Sequence, residues 1–131
     1  MTLICGIPDA GKTTYSMQYD NVIHFDTVKG GRRRRELVIE MVKNDPSICV
    51  EGVYEKAKDR ANLVKASGER NTCIWLDTPL ETCVDRELTG RHRHEKIVIW
   101  AAESFELPTF DEGWDEIIII ENEKITHLKK E

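Results

Sequence analysis

The sequence GIPDAGKT, at residues 6–13, follows the short apolar run TLIC and leads into a segment that can begin a helix. Its glycines, lysine and threonine fit the pattern G-x-x-x-x-G-K-[ST], in which backbone N–H groups surround phosphates and the lysine reaches their outer oxygens. A Gly-Pro-Asp cluster is also common in ordinary turns, but here every fixed position of the pattern is present between a predicted strand and a predicted helix. The sequence therefore predicts a nucleotide-phosphate site formed by Gly6, Asp9, Ala10, Gly11, Lys12, Thr13 and Thr14.

Two carboxylates come at the ends of the next two strand-like runs. Asp26 follows VIHF, and Glu51 follows SICV. Because ligands collect at the carboxyl ends of strands in a parallel sheet, Asp26 could accept the proton of an attacking hydroxyl, although aspartates are also common in turns and helix caps. For Glu51 two interpretations remain open: a carboxylate that orients metal-bound water, or a solvated strand terminus.

Four arginines in the segment KGGRRRR, residues 29–35, occupy the place where a helix is predicted to begin. Positive charge at a helix N-terminus opposes the helix dipole. An anion such as a nucleic-acid backbone lying over this end would explain the placement. We therefore predict that Arg32 and Arg33 bind the substrate; the alternative is a solvated basic face paired with Glu36 and Glu40.

A second basic cluster, DRELTGRHRHEK at residues 85–96, begins on a predicted helix that breaks at a Thr-Gly pair. The helix carries Arg86, which we predict to bind the nucleotide. A mobile loop after the break that carries Arg91 and closes over the phosphates would neutralise charge on a transferring phosphoryl group and exclude water. The two histidines of the cluster lack the spacing of a metal site and are interpreted as surface residues. The cluster predicts a small arginine-bearing lid.

The elements that would position these residues alternate regularly along the chain. Strand-like runs lie at 2–6, 22–26, 47–52, 72–77 and 115–120, and helix-compatible segments lie at about 12–20, 31–44, 54–68, 79–89 and 95–104. Strands rich in Val and Ile that alternate with helices are typical of a parallel sheet covered on both sides. The pattern predicts one α/β domain over residues 1–131, with a five-stranded, mainly parallel sheet and helices on both faces.

The composition limits the classes of protein to which the chain can belong. A net charge of −5 over 131 residues lacks the basic footprint of a general nucleic-acid binder, so a polyanion would have to bind a local patch. Four cysteines without paired spacing favour buried, reduced thiols in a cytoplasmic protein. No apolar stretch approaches the roughly 20 residues that span a bilayer, so we expect no membrane association, and no obligate protein partner is indicated.

Several of these segments together resemble one family. The phosphate loop, the aspartate after the second strand, CIWLDTPLETCVDR and FELPTFDEGWDEIIII are similar to the small P-loop kinases of the polynucleotide kinase group, which includes phage kinases acting on hydroxymethyluracil in DNA. The resemblance covers nearly the whole chain. It implies that Lys12 contacts the nucleotide phosphates, that Thr13 helps to hold Mg²⁺, and that Asp26 is the general base. It also places Arg86 and Arg91 near the helix and lid arginines of the group.

From the residues and the resemblance together we predict an ATP- and Mg²⁺-dependent kinase with a single P-loop kinase domain. The predicted acceptor is a hydroxyl on nucleic acid, either at a 5′ end or in a hydroxymethyl group on a base. The predicted catalytic residues are Lys12, Asp26 and Arg91. In the polynucleotide kinase group an arginine often follows the aspartate after a few residues. In this sequence the first arginine after Asp26 is Arg32. A small-metabolite kinase and a non-catalytic nucleotide-binding switch are the alternatives; the first should ignore DNA and RNA, and the second should not need Asp26.

Overall fold

Strands and helices alternate along the chain in the computed structural model, which describes residues 1–90 and 94–130. The strands are β1 Thr2–Cys5, β2 Val22–His24, β3 Cys49–Glu51, β4 Thr72–Leu76, β5 Glu116–Glu121 and β6 Lys124–His127. The α-helices are α1 Lys12–Ser16, α2 Arg34–Asn44, α3 Ala57–Ser67, α4 Leu80–Thr89 and α5 Glu95–Ser104. Short 3-10 turns occupy Phe25–Thr27, Gly31–Arg33 and Phe110–Glu112.

The strands form a single sheet in the order β2-β3-β1-β4-β5-β6. The first five strands of that order are parallel, and β6 pairs with β5 in the antiparallel direction. In the middle of the sheet, Ile4 of β1 is in register with Glu51 of β3 on one side and with Ile74 of β4 on the other. The phosphate loop therefore leaves the sheet between two neighbouring strands whose carboxyl ends point the same way. The predicted α/β fold is confirmed.

The sheet has six strands in the described residues, whereas the sequence predicted five. A two-residue connection, in which Asn122 has a positive φ of 56°, turns the chain back after β5. Asparagine tolerates this left-handed conformation better than most residues. All four residues of β6 are exposed, so the strand shows no buried face that hydrophobic patterning could detect. Strand β6 therefore forms because the hairpin turn brings it beside β5, and not because it buries an apolar face.

Helices cover both faces of the sheet, as predicted. On one face Leu3 and Val50 pack with Val38 of α2 and Leu63 of α3. On the other face a second cluster contains side chains from β1, β3, β4, α4 and α5, namely Ile4, Cys49, Ile74, Cys83 and Val98. Successive residues of a strand point to opposite faces, which is why two adjacent residues of β1 belong to different clusters. The four cysteines are buried and free.

A buried ion pair connects α3 to the segment that precedes β5. Nε of Arg60 lies 2.7 Å from Oε1 of Glu112, and Nη2 donates to Oε2 at 3.1 Å. The indole N–H of Trp114 and the backbone N–H of Thr109 donate to the same carboxylate, at 3.0 and 2.9 Å. Burial alone would raise the pKa of Glu112, but the hydrogen bonds from Arg60, Trp114 and Thr109 outweigh it and lower the pKa. The carboxylate is thus held ionised in the interior.

The same arginine also orders the loop that follows β3. Nη1 of Arg60 donates to the carbonyl of Tyr54 at 2.8 Å, and Nη2 donates to the carbonyl of Glu106 at 2.7 Å. Arg60 is fully buried, and a buried guanidinium requires such a set of acceptors. Among the helices of the described residues, none is long and apolar enough to cross a bilayer.

Candidate active site

The phosphate loop forms one wall of a cleft of about 1000 Å³ at the carboxyl ends of the parallel strands. Gly11 has a left-handed φ of 98° and precedes α1 directly, so it turns the loop into the helix. Of the predicted nucleotide-binding residues, six line the cleft: Asp9, Ala10, Gly11, Lys12, Thr13 and Thr14. Gly6 lies beneath the loop, where a Cβ atom would approach the carbonyl oxygen of Leu76 to 2.8 Å. The loop can therefore sit close to β4 only because residue 6 has no side chain.

Lys12 is buried at the base of the cleft. Its Nζ donates a hydrogen bond to the carbonyl of Ile7 at 2.8 Å, so the ammonium group lies within the phosphate loop itself. Burial lowers the pKa of Lys12, and the nearby carboxylates of Glu51 and Asp26 act in the opposite direction. The lysine is therefore close to both carboxylates that follow the second and third strands.

Asp26 and Glu51 both line the cleft near Lys12 of the phosphate loop. Asp26 lies in the 3-10 turn that follows β2, and its side chain is exposed. This exposure is what a residue that contacts a second substrate requires. Glu51 ends β3 and is buried, and its Oε2 lies 2.9 Å from Nδ1 of His24. Of the two interpretations left open for Glu51, the solvated strand terminus is wrong.

Arg86 connects α4 to the phosphate loop. Its Nη1 donates to the backbone carbonyl of Asp9 at 2.9 Å, and the side chain lines the cleft. Burial, together with the neighbouring carboxyl group of Glu87, raises the pKa of Asp9 to about 6. The loop thus carries a carboxyl group that is partly protonated near neutral pH beside the predicted phosphate position. Arg91, predicted as the lid arginine, lies outside the described residues.

Arg32 and Arg33 lie on the surface and do not line the cleft. Arg33 pairs with Glu36 at 3.4 Å, with both side chains largely exposed. The next two arginines of the run point elsewhere, because α2 begins at residue 34: the guanidinium groups of Arg34 and Arg35 lie over the ring of Phe25, 5.4 and 5.8 Å from its centroid. Substrate binding by Arg32 and Arg33 stays a prediction.

Other cleft residues were not predicted as site residues. Oγ1 of Thr78, which follows β4, donates to the carbonyl of Ala10 at 2.8 Å and so supports the phosphate loop. The cleft is also lined by Ile97, Ile120 and Asn122. Thr78 lies two residues after the end of β4, at the carboxyl edge of the sheet where ligands collect, and this position is the sequence signal that points to it.

The fold resembles those of known kinases. The crystal structure of a gluconokinase from Sinorhizobium meliloti superposes with a TM-score of 0.71 at 12% identity, over 92% of this chain and 81% of that one. A sugar kinase from Janibacter superposes with a TM-score of 0.74 at 14% identity, over 92% of this chain and 83% of that one. The sequence matches no protein-family model and no curated protein. At these identities the likeness shows the fold alone, an α/β fold with a mostly parallel sheet that this chain shares with both kinases.

Proposed function

We propose that the protein is a P-loop kinase that transfers the γ-phosphoryl group of ATP to a hydroxyl of a small polar metabolite. The observation that carries the proposal is the single cleft in which the phosphate loop with Lys12 faces the carboxylates of Asp26 and Glu51. This arrangement supplies the three functions that phosphoryl transfer needs: binding of the donor phosphates, neutralisation of their charge, and a base for the acceptor.

Four residues of the cleft would bind the donor phosphates and the metal ion. Lys12 would bind the outer phosphate oxygens, and Arg86 would add positive charge at the same wall of the cleft. Thr13 and Glu51 are the residues that would hold Mg²⁺, which supplies further neutralisation of the transferring group when bound. Among the described residues no cluster of three or more His, Cys, Asp or Glu side chains could hold a metal, which fits an ion coordinated mostly by phosphates and water.

Asp26 would accept the proton of the acceptor hydroxyl. As that oxygen forms its bond to the γ-phosphorus, the bond between phosphorus and the bridging oxygen breaks and ADP leaves. The exposed turn after β2 leaves Asp26 accessible to a second substrate beside the phosphate loop. The base is therefore on the acceptor side of the cleft, and the lysine on the donor side.

Support for a small acceptor comes from the structural neighbours, which are a gluconokinase and a sugar kinase. It also comes from the placement of Arg32 and Arg33 outside the cleft. The nucleic-acid acceptor expected from the sequence remains a second candidate on one observation: both arginines are exposed on the turn that follows the Asp26 segment, where a polymer reaching beyond the cleft could contact them.

The test separates ATP binding from chemistry. Asp26→Asn keeps the shape of the side chain but removes the base, so it should bind ATP normally and lose about 10²- to 10⁴-fold in turnover. The matched control is Asp20→Asn, an exposed aspartate outside the cleft, which should retain full turnover. ATP binding is measured by calorimetry, and turnover by release of ADP in the presence of acceptor.

Loss of ATP binding in Asp26→Asn would contradict the assignment of a base and indicate a structural role. Unchanged turnover in the same variant would contradict the role of Asp26 as the base, whereas ATP binding by the wild-type protein without turnover on any acceptor would favour the non-catalytic switch.

A further inference from the structure

A histidine at the end of β2 contacts the buried carboxylate of the cleft. Nδ1 of His24 lies 2.9 Å from Oε2 of Glu51. Because an ionised carboxylate can only accept hydrogen bonds, the ring nitrogen is the donor when Glu51 is ionised. His24 itself does not line the cleft. Any effect of its side chain on a molecule bound there therefore passes through Glu51.

The contact follows from the register of the sheet. Strands β2 and β3 are parallel, and His24 is the residue paired with Glu51. Glu51 is also in register with Ile4 of β1, so strands on both sides fix its backbone and only its side chain is free to turn. The hydrogen bond from His24 restricts that remaining freedom.

The Glu51 carboxylate keeps capacity for a ligand. Its two oxygens offer about four acceptor positions, and among the described residues the contact with His24 is the only hydrogen bond that they make. Glu51 is 6% exposed and lines the cleft. Burial lowers the pKa of Lys12, and Glu51 has the largest opposing effect, which places its charge near the lysine of the phosphate loop. The oxygen that His24 does not contact is thus available to a metal-bound water beside the donor phosphates.

His24 also precedes the turn that carries Asp26. Its carbonyl accepts a hydrogen bond from Oγ1 of Thr27 at 2.8 Å, and the 3-10 turn begins at the next residue. Strand β2 is at one edge of the sheet that the described residues form, beside β3. The bond between His24 and Glu51 therefore joins the end of this edge strand, with the proposed base that follows it, to the carboxylate of the neighbouring strand.

We propose that His24 is a positioning residue, which holds the Glu51 carboxylate in the orientation that binds Mg²⁺ together with the nucleotide. The proposal rests on the kinase function proposed above, in which Thr13 and Glu51 hold the ion. Groups that hydrogen-bond to a metal-binding side chain fix its orientation, and their removal typically lowers metal affinity or activity about 10- to 100-fold. His24 acts without touching the metal, the nucleotide or the acceptor.

A contact that served stability alone would behave differently. The imidazole is 36% exposed, and ion pairs that are partly open to solvent contribute little to stability. Such a contact would change Tm when removed, and it would leave the response of nucleotide binding to Mg²⁺ as it is in the wild-type protein.

The experiment measures binding of a non-hydrolysable ATP analogue to the full chain by calorimetry, once with Mg²⁺ and once with EDTA. His24→Ala removes the donor, and His24→Asn keeps one, because its side-chain nitrogen can take the position of Nδ1. Glu51→Gln and the double variant with His24→Ala complete a thermodynamic cycle. His127→Ala, from the exposed strand β6, is the control. His24→Leu, which has a similar volume and no donor, replaces the alanine variant if that variant does not fold.

His24→Ala should lower the affinity for the analogue with Mg²⁺ about 10- to 100-fold and leave the affinity in EDTA within about twofold of the wild type. His24→Asn should recover most of the loss, and His127→Ala should match the wild type. Because His24 acts through Glu51, the double variant should bind the analogue with Mg²⁺ as Glu51→Gln does, to within about twofold.

An equal loss of affinity with Mg²⁺ and with EDTA would overturn the proposal, because it would indicate a general effect on the nucleotide site. Losses that add in the double variant would overturn it too, as would binding by the wild-type protein that does not respond to Mg²⁺. The expected pattern of binding without turnover on any acceptor would leave the role of His24 standing and contradict the kinase function instead.

Discussion

Removing the negative charge of Glu112 should destabilise the protein strongly. In Glu112→Gln the fully buried guanidinium of Arg60 loses its ionised partner, while its hydrogen bonds to the carbonyls of Tyr54 and Glu106 remain. Breaking a buried ion pair by neutralising one partner costs about 3–5 kcal/mol, which is a large part of a total stability of about 5–15 kcal/mol.

The expected change in melting temperature follows from the size of the chain. An unfolding entropy of about 2.1 cal/mol/K per residue over 131 residues gives about 0.28 kcal/mol/K. A loss of about 3–5 kcal/mol therefore lowers Tm by about 11–18 °C. Differential scanning calorimetry measures this shift. Glu103→Gln, an exposed glutamate on α5, is the control and should change stability by less than about 0.5 kcal/mol.

The pH dependence of the same variant provides a second check. Because the pKa of Glu112 is lower in the folded protein than its ordinary value of 4.5, its contribution is complete above that value. It is lost as the pH falls through the folded pKa. The Tm difference between wild type and Glu112→Gln should be constant from pH 6 to 8 and shrink in acid. A Tm difference of less than about 3 °C, or one that does not shrink in acid, would refute a buried, ionised Glu112.

Three further predictions concern the cleft and the arginine run. Lys12→Ala should abolish detectable transfer of label from γ-labelled ATP, because it removes the positive charge on the outer phosphates; near-normal activity would contradict the donor site. Because the pKa of Asp9 is raised to about 6, its ionisation destabilises the folded state, so Asp9→Asn should raise Tm more at pH 7.5 than at pH 4.5. An equal shift at both values would show that Asp9 does not titrate in this range. Replacing Arg32 and Arg33 together with alanine should leave transfer to a small acceptor within about twofold, whereas weaker transfer to DNA or RNA, with a loss that shrinks as the ionic strength rises, would indicate a nucleic-acid acceptor.

The phosphate loop and the order of strands and helices could be predicted from sequence because both depend on local patterns. The loop is a contiguous motif between a strand and a helix, and each parallel strand is a short apolar run. The position of Asp26 and Glu51 in one cleft then follows from topology, because β1 and β2 both pair with β3 in the parallel direction.

Other features depend on contacts that sequence patterns do not specify. The start of α2 at Arg34, three residues later than the predicted start of the segment at 31–44, decides which arginines of KGGRRRR lie over the ring of Phe25. The partners Arg60 and Glu112 are 52 positions apart in the chain. Tyr54, which has a left-handed φ of 41°, is held by one of those partners rather than by a turn signal in its own segment.

The measurement that tests the central claim most directly is transfer of label from γ-labelled ATP, with Mg²⁺, to a panel of acceptors. The panel contains sugar acids, neutral polyols, nucleosides, and DNA and RNA with free 5′ hydroxyls, and Lys12→Ala provides the background. We expect label in a small hydroxyl compound above that background, with little in the polymers. Label found only in DNA or RNA would contradict the small acceptor, and no label above the Lys12→Ala background in any compound would contradict the kinase.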